Sequence, residues 1–210
     1  MSKVLYVVGA GSVGGYIAYN LGHMTNEYRI GGFFDDDPAK KNTMIFGVPV
    51  LGTTDDLLEY NNASVVIGIA FPKIKAQLID KLGQNSTLIY PSLISAASWI
   101  SSNSHIGMGA IIYPGCSVNY QVTIEDFVVM NMNCAIGHDC TIGRFSSLAP
   151  GVALGGGTQI GALTEMGIAS ATKQGISIGS SCIIGGNAMV VKNVPDNSKA
   201  VGVPARISKK

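Results

Sequence analysis

Apolar residues recur along the middle of the chain with a period of six. Seventeen of the eighteen positions reached by counting in sixes from Leu88 to Val190 are Ile, Leu, Val or Met. A second column, four residues later in each hexad, holds residues no larger than Val at seventeen of its eighteen positions, from Ser92 to Val194. Hexapeptide periods are typical of parallel β-helices, in which three short strands form one triangular coil. We therefore predict a parallel β-helix over residues 85–194, with residues 18 apart stacked in neighbouring coils.

One hexad departs from both columns. Thr172 is polar where the first column is apolar, and Ile176 is large where the second column is small. The register continues on both sides, so we interpret the pair as a local exchange of sizes. An ordinary β-sandwich is the alternative architecture, but its turns would not keep one register for over a hundred residues.

Strand and helix patterns alternate in residues 1–84, which indicates a small Rossmann-like α/β domain. Residues 195–210 follow the last hexad as a C-terminal tail. The predicted strands of the first domain are Lys3–Val8, Tyr28–Phe34, Val48–Leu51 and Ser64–Ile69. The predicted helices run from Val13 to Leu21, near Thr54–Tyr60 and from Pro72 to Leu82, the last with Ile74, Leu78 and Leu82 on one face.

A glycine-rich turn follows the first strand, with Gly9, Gly11 and Gly14 in G-x-G-x-x-G spacing and Ser12 inside it. Such a turn lets a phosphate approach the backbone and the start of the next helix. The acidic pair Asp35–Asp36 lies where a Rossmann protein binds ribose. An NAD site and an unliganded turn are both open readings. The segment has only half the size of a dinucleotide-binding fold, which favours a mononucleotide or a nucleotide-sugar.

Composition narrows the function classes. A formal charge of +1 with 13% charged residues gives no electrostatic basis for binding nucleic acid. No apolar run approaches the roughly 20 residues of a membrane span, and no signal peptide is visible, so we expect a cytoplasmic protein. All four cysteines fall in the small column, which predicts buried thiols and neither zinc ligands nor disulfides.

His138 has the most informative setting of the three histidines, whereas His23 and His105 are expected at the surface. The register stacks His138 and Asp139 beside the run Gly155–Gly157, which carries no side chains. A histidine next to a carboxylate is suited to general-base catalysis, and nearby backbone N–H groups can stabilise an oxyanion. A solvated histidine beside a glycine-rich bend is the alternative reading.

The chain resembles the NeuD/PglD-type nucleotide-sugar acetyltransferases among the hexapeptide-repeat acyltransferases, over nearly all of its 210 residues. The resemblance implies a left-handed β-helix, a homotrimer, acetyl-CoA bound between neighbouring prisms, and no metal. It is carried by these segments in order: the glycine turn, Phe34-Asp35-Asp36, Tyr90-Pro91-Ser92, Asn131, Gly137-His138-Asp139, Ile142-Gly143, Pro150-Gly151, Gly185-Gly186 and Gly202-Val203-Pro204-Ala205.

The same resemblance implies roles for single residues. His138 corresponds to the general base and Asp139 to its acidic neighbour, while Asn131 is expected near the acceptor sugar. In the N-terminal domain, the turn with Gly9, Gly11 and Ser12 would face phosphate, and Asp35 and Asp36 would address the ribose or uracil of a UDP-amino-sugar. The residues expected along the acetyl-CoA channel are Ser147, Gly156, Ile168, Gly186, Pro204 and Ala205.

Three positions depart from the family pattern. Many members have a second histidine where this chain has Ser147, and a histidine in the glycine turn where it has Val13. A strand that commonly ends in Asn ends here near Ala70. The leading hypothesis is transfer of acetyl to the amine of a nucleotide-linked 4-amino-deoxysugar. Sugar O-acetylation of the sialic-acid type, a non-catalytic nucleotide-binding scaffold and an NAD oxidoreductase are the alternatives.

Overall fold

The computed structural model describes residues 2–209, which form two compact units. The first unit ends at Leu93, and the second begins at the next residue. This division lies beyond residue 84, where the sequence pattern places it, because Ile89 pairs with Ser64 in the sheet of the first unit. The C-terminal tail belongs to the second unit.

The first unit is an α/β domain built on a five-stranded sheet. Its elements are β1 (Lys3–Val8), α1 (Ser12–Asn20), β2 (Tyr28–Phe34), β3 (Met44–Ile45), β4 (Val48–Gly52), α2 (Thr54–Leu57), β5 (Ser64–Ile67) and α3 (Pro72–Leu82), with short 3₁₀ turns at Leu21–His23 and Pro38–Lys40. The strand order is β3-β4-β2-β1-β5, and only β3 is antiparallel to its neighbour. The predicted α/β architecture is confirmed.

Two details of this unit differ from the sequence prediction. The strand β3 forms a hairpin with β4 through Phe46 and Gly47, which both have positive φ, and the apolar pattern did not reveal it. In α3, the predicted apolar face with Ile74, Leu78 and Leu82 is only partly buried, since Ile74 is 44% exposed, while Lys75 is 1% exposed. Ile74 instead lines an open cavity at the carboxyl ends of the strands.

The second unit is a parallel β-helix of two-residue strands arranged in three faces. The six-stranded face contains β7 (Trp99–Ile100), β10 (Ser117–Val118), β13 (Ala135–Ile136), β16 (Ala153–Leu154), β19 (Ala171–Thr172) and β22 (Met189–Val190). The five-stranded face contains β8 (His105–Ile106), β11 (Thr123–Ile124), β14 (Thr141–Ile142), β17 (Gln159–Ile160) and β20 (Ser177–Ile178). The eight-stranded face contains β6 (Leu93–Ile94), β9 (Ile111–Ile112), β12 (Val129–Met130), β15 (Ser147–Leu148), β18 (Glu165–Met166), β21 (Ile183–Ile184), β23 (Ser198–Val201) and β24 (Arg206–Lys209).

The eighteen-residue stacking is confirmed through the body of the helix, as in the pairing of Ile136 with Leu154. It fails at both ends of the predicted range. Leu88 lies in the first unit. Val194 was assigned to the small column, but it pairs with Ile178 of the large column, because the last coil is two residues shorter than the others.

The corners of the prism have a periodic backbone conformation. The fourth residue of every hexad from Gly109 to Asn187 has a positive φ, and Asp139 is one of the non-glycine members, with φ of 57°. Residues other than glycine adopt this left-handed region only at some cost in free energy. The corners are therefore fixed by the hydrogen-bonded stack, in which the amide of Asp139 donates to Tyr120 O one coil away.

The small column forms a ladder of polar contacts inside the prism. Its O–H and S–H groups donate to the carbonyl fifteen residues further on, at Ser98–Tyr113, Ser104–Asn119, Cys116–Asn131, Cys134–Ala149, Cys140–Gly155, Ser146–Gly161 and Thr164–Gly179. At the shortened coil Cys182 reaches Pro195 instead. These contacts satisfy corner carbonyls that the core would otherwise desolvate.

All four cysteines are buried and unpaired, which confirms their predicted place in the core. A hydrogen bond with Cys116, together with burial, raises the pKa of Cys134. Burial also raises the pKa of Cys140. These two side chains therefore remain neutral thiols at physiological pH, which suits their role as weak hydrogen-bond donors to the backbone.

Candidate active site

His138 lies at the corner between the six-stranded and five-stranded faces, directly after β13. Its Nδ1 is 2.6 Å from Oδ2 of Asp139, and the two side chains are 42% and 50% exposed. A carboxylate accepts a hydrogen bond from Nδ1–H, so Nε2 carries the lone pair in the neutral ring. This arrangement orients the imidazole and leaves Nε2 free to accept a proton from a substrate.

The ring of His138 lies between two neighbouring coils. On one side it stacks on Tyr120, with 5.2 Å between ring centroids and 9° between the planes. On the other side it leans over Gly156, so that a Cβ at that position would come within 2.6 Å of Nε2. The bare glycine run predicted from the sequence is therefore present, and it makes room for the ring.

Tyr120 is a member of the site that sequence reasoning missed. It precedes His138 by one coil, just as Gly156 follows it by one coil. Counting backwards by the same period finds it. The stacked ring restricts the imidazole to one plane, and an aromatic pair of this kind stabilises the arrangement by about 0.5–1.5 kcal/mol.

The N–H of the half-buried Gly156 is an open donor beside this imidazole. Within residues 2–209 it donates to no other group, whereas Gly157 N–H donates to His138 O at 2.7 Å. The carbonyl of Gly155 points into the prism, where Thr158 Oγ1 and Cys140 Sγ lie 2.6 and 3.4 Å away. Because a trans peptide directs its C=O and N–H in opposite directions, the Gly156 N–H points outward.

The residues expected along the acetyl-CoA channel occupy a different corner from His138. Ile168 and Gly186 stack one coil apart at the corner between the eight-stranded and six-stranded faces, where Asn187 N–H donates to Ile168 O. Ile168 is 61% exposed. The tail continues this edge, since Ala205 N–H donates to Met189 O beside the exposed Pro204. Only Gly156 of this set lies at the His138 corner.

Asn131 and Ser147 also lie away from His138 in one chain. Asn131 is at the same corner as Ile168, and its side-chain oxygen accepts the Met132 N–H at 2.8 Å. Ser147 is the first residue of β15 on the eight-stranded face. The six-stranded face separates these positions from His138.

The glycine turn of the first unit has the geometry expected for phosphate binding. Gly9 has a φ of +94°, and Gly14 packs so closely on the Gly9 carbonyl that no side chain fits between helix and turn. The N–H groups of Gly11 and Ser12 donate to no other residue within 2–209, and both residues are exposed. They are open donors at the start of α1.

The acidic pair, Asp35 and Asp36, lies beside the glycine turn, and both side chains are already hydrogen-bonded within the first unit. Asp35 accepts from Ala10 N–H at 2.8 Å and pairs with Lys40 at 2.9 Å. Burial favours the neutral carboxyl, but these contacts outweigh it and hold the pKa of Asp35 below its ordinary value. Asp36 accepts from the amide and hydroxyl of Thr54 at the start of α2.

A cavity of about 180 Å³ lies beside the acidic pair. This volume suits a single ring system better than a whole nucleotide-sugar. Its lining is apolar on one side and acidic on the other, with Val8, Gly9, Phe34, Asp35, Asp36, Asp37, Thr54, Ile69, Ile74 and Leu78.

Between residues 2 and 209 no group of three or more His, Cys, Asp or Glu side chains is arranged to hold a metal ion. In the same range no helix is both long enough and apolar enough to cross a bilayer.

The fold and the histidine corner define the class of hexapeptide-repeat acyltransferases, and comparison with known proteins agrees. Residues 4–82 match the model of the PglD N-terminal domain. PerB from Caulobacter crescentus, solved with CoA and GDP-perosamine, is 25% identical with a TM-score of 0.89, over 99% of this chain and 98% of that one.

Two other solved structures are similar over their full length. The acetyltransferase domain of PglB from Neisseria gonorrhoeae is 26% identical with a TM-score of 0.87, over 98% of this chain and 99% of that one. WeeI from Acinetobacter baumannii is 25% identical with a TM-score of 0.84, over 99% and 100%. The first unit therefore carries the PglD N-terminal domain, the whole chain is similar to nucleotide-sugar acetyltransferases of the NeuD/PglD type, and its β-helix is the left-handed kind.

Proposed function

We propose that this protein transfers an acetyl group from acetyl-CoA to the amine of a nucleotide-linked 4-amino-deoxysugar, for surface glycan or glycoprotein sugar synthesis. The observation that carries the proposal is the His138 imidazole, held by Asp139 through Nδ1 and placed with Nε2 over the bare backbone of Gly156. The similarity to proteins solved with CoA and a nucleotide-linked amino sugar supports the choice of both substrates.

In the proposed mechanism Nε2 of His138 accepts a proton as the acceptor nitrogen bonds to the thioester carbonyl carbon. Asp139 stabilises the imidazolium that forms. The outward N–H of Gly156 donates to the developing oxyanion. When the carbon–sulfur bond breaks, His138 returns its proton to the departing thiolate, giving an amide and free CoA. Holding both substrates together can itself contribute about 7–11 kcal/mol.

The acetyl-CoA channel is proposed along the edge that contains Ile168, Gly186 and the Pro204–Ala205 segment. This edge is exposed and apolar, and its lack of bulky charged groups suits a slender pantetheine chain. Since His138 lies at the other border of the six-stranded face, one copy cannot supply both edges to one acetyl group. We therefore propose a homotrimer, in which the channel edge of one copy lies against the His138 corner of the next.

The N-terminal unit is proposed to bind the nucleotide. The open amides of Gly11 and Ser12 suit the diphosphate. The cavity beside Asp35 and Asp36 suits the base or ribose, and we expect a UDP-linked substrate. Asn131 and Ser147 keep their proposed roles near the acceptor sugar and the thioester. The buried thiols fit an enzyme of the reducing cytoplasm.

A substrate panel tests this function. Purified enzyme would be incubated with acetyl-CoA and with UDP-, GDP-, dTDP- and CMP-linked sugars, each in an amino and a hydroxy form, and CoA release and product mass would be measured. We expect an N-acetylated product, with the highest kcat/KM for a UDP-linked amino sugar. Acetylation of the hydroxy forms alone would replace the proposal with O-acetylation.

The same panel distinguishes the non-enzymatic and oxidoreductase alternatives. The proposal expects thermal stabilisation by CoA, because a ligand that binds only the folded state raises the Tm. No stabilisation at millimolar CoA, with stabilisation by a nucleotide, would favour a binding scaffold. Stabilisation by NAD but not by UDP would favour the oxidoreductase.

A further inference from the structure

Thr172 interrupts the apolar column, and its hydroxyl is directed into the prism below the glycine run. The side chain is 6% exposed. Its Oγ1 accepts the Gly155 N–H at 3.0 Å and lies 2.8 Å from Thr158 Oγ1. Because Thr172 and Ile176 exchange a large and a small position, a hydroxyl group lies inside the prism, directly behind the Gly155 backbone next to His138.

The three groups form a closed hydrogen-bonded ring. Gly155 O accepts the single hydroxyl proton of Thr158 at 2.6 Å, because a carbonyl cannot donate. The Thr172 hydroxyl must then donate to Thr158 Oγ1, and it accepts from Gly155 N–H. Both polar groups of Gly155 are therefore held by side chains from inside the prism.

This arrangement differs from the other corners. The equivalent amide elsewhere donates to a backbone carbonyl seventeen residues on, as in Gly137 to Leu154 and Gly161 to Ile178. At Gly155 a threonine hydroxyl replaces that carbonyl. A run of three glycines has more conformational freedom than any other tripeptide. The additional hydrogen bonds from the two threonines therefore restrict a backbone that would otherwise sample many conformations.

We propose that Thr172 and Thr158 are positioning residues for acetyl transfer. Thr158 holds the Gly155 carbonyl, and Thr172 holds the Gly155 N–H and the Thr158 hydroxyl. Together they fix the Gly155–Gly156 peptide plane, so that the Gly156 N–H is aimed at the acyl oxygen beside His138. The inference rests on the proposed function, in which that N–H stabilises the oxyanion. Neither threonine touches the substrate, since both side chains are buried.

The direct test is Thr172→Val, which keeps the shape, restores the apolar period and removes the hydroxyl. The Gly155 N–H then loses its hydroxyl acceptor and Thr158 Oγ1 loses its donor, so the glycine backbone is free to turn the Gly155–Gly156 peptide plane. We expect kcat to fall about tenfold, less than the 10²–10³ for complete loss of an oxyanion donor. The dissociation constant of CoA and the Tm should stay close to wild type.

Thr172→Ser restores a hydroxyl and should recover most of kcat. Thr164→Val is the matched control, because Thr164 is a buried ladder residue whose hydroxyl binds Gly179 O and Cys182 N–H and neither of these belongs to the glycine run. It should keep the wild-type kcat. An unchanged kcat in Thr172→Val, or an equal loss in Thr164→Val, would overturn the inference.

A second measurement does not depend on catalysis. Hydrogen exchange of the Gly155 amide should be slow in wild type and at least tenfold faster in Thr172→Val, with no change at Gly161. If the wild-type protein transferred no acetyl group, the proposed function would fail. The difference in exchange rate would still show that the hydrogen-bonded ring of Gly155, Thr158 and Thr172 is present. Equal protection in both proteins would overturn the ring itself.

Discussion

The imidazole ring of His138 lies between the two coils that neighbour its own. Tyr120 stacks on one face of the ring, and Gly156 leaves space at the other. Counting one coil forward from His138 predicted the glycine run, which is one of the two neighbours of the ring. The orientation of the ring was beyond the sequence, because it depends on the left-handed conformation of Asp139 and on the contact between Nδ1 and its carboxylate.

A methyl group at Gly156 should disturb this site selectively. In Gly156→Ala the new Cβ would lie 2.6 Å from Nε2 of His138, so the ring must move. Displacing the general base should lower kcat by about 10²-fold, at the low end of what such a base contributes. Steady-state kinetics of acetyl transfer measures this.

Gly22→Ala is the control, because a Cβ there meets nothing within 4 Å. We expect its kcat to match wild type. A kcat for Gly156→Ala within twofold of wild type would show that the ring does not occupy the position described here during catalysis.

At the scale of the elements, the hexad period is an accurate guide where coils are regular. It predicted the stacking of Ile136 on Leu154 and the burial of all four cysteines. It failed at Val194, where two residues are absent from a coil and the composition gives no sign of the deletion. In the first unit, Ile74 lies with Leu78 on the predicted apolar face of α3, but both line a cavity, and helical periodicity cannot distinguish a core from the wall of a cavity.

The polar contacts inside the prism contribute unequally to the free energy of unfolding, and the sequence does not show which of them contribute most. Ser146 Oγ donates to Gly161 O and accepts Thr164 N–H, each at 3.0 Å. Ser170 is equally buried, but within residues 2–209 its hydroxyl has no partner. The two serines occupy the same column.

Ser146→Ala should therefore lower the free energy of unfolding by about 1–3 kcal/mol, because it leaves a buried amide unpaired. Ser170→Ala should change it little or raise it, since the removed hydroxyl satisfied nothing. Denaturant unfolding of both variants at one protein concentration measures the difference. Equal destabilisation by the two substitutions would contradict the unequal roles of these two hydroxyl groups in the ladder.

The whole molecule places the parts of the proposed site on two edges. His138 and Gly156 lie at one border of the six-stranded face, and Ile168, Gly186 and the tail lie at the other. No single chain brings these edges together, which is why the sequence motifs alone did not describe one site. The proposed trimer should have about three times the 21.8 kDa mass of one chain.

Complementation between two inactive variants tests this account most directly. His138→Ala removes the base, and Gly186→Trp fills the channel edge at an exposed position where a Cβ meets the carbonyl oxygen of Ile168 at 3.3 Å and its amide nitrogen at 3.8 Å. Each variant alone should have at most about one hundredth of the wild-type kcat. The two would be co-expressed with different tags, and trimers that carry both tags would be isolated.

Every such mixed trimer has one junction where an intact His138 corner meets an intact Gly186 edge. The account predicts that its kcat per trimer recovers to roughly one third of wild type, because cyclic symmetry provides three equivalent junctions. Activity that stays at the level of the separate variants would contradict a site assembled between copies. Full activity of His138→Ala alone would contradict its role as the general base.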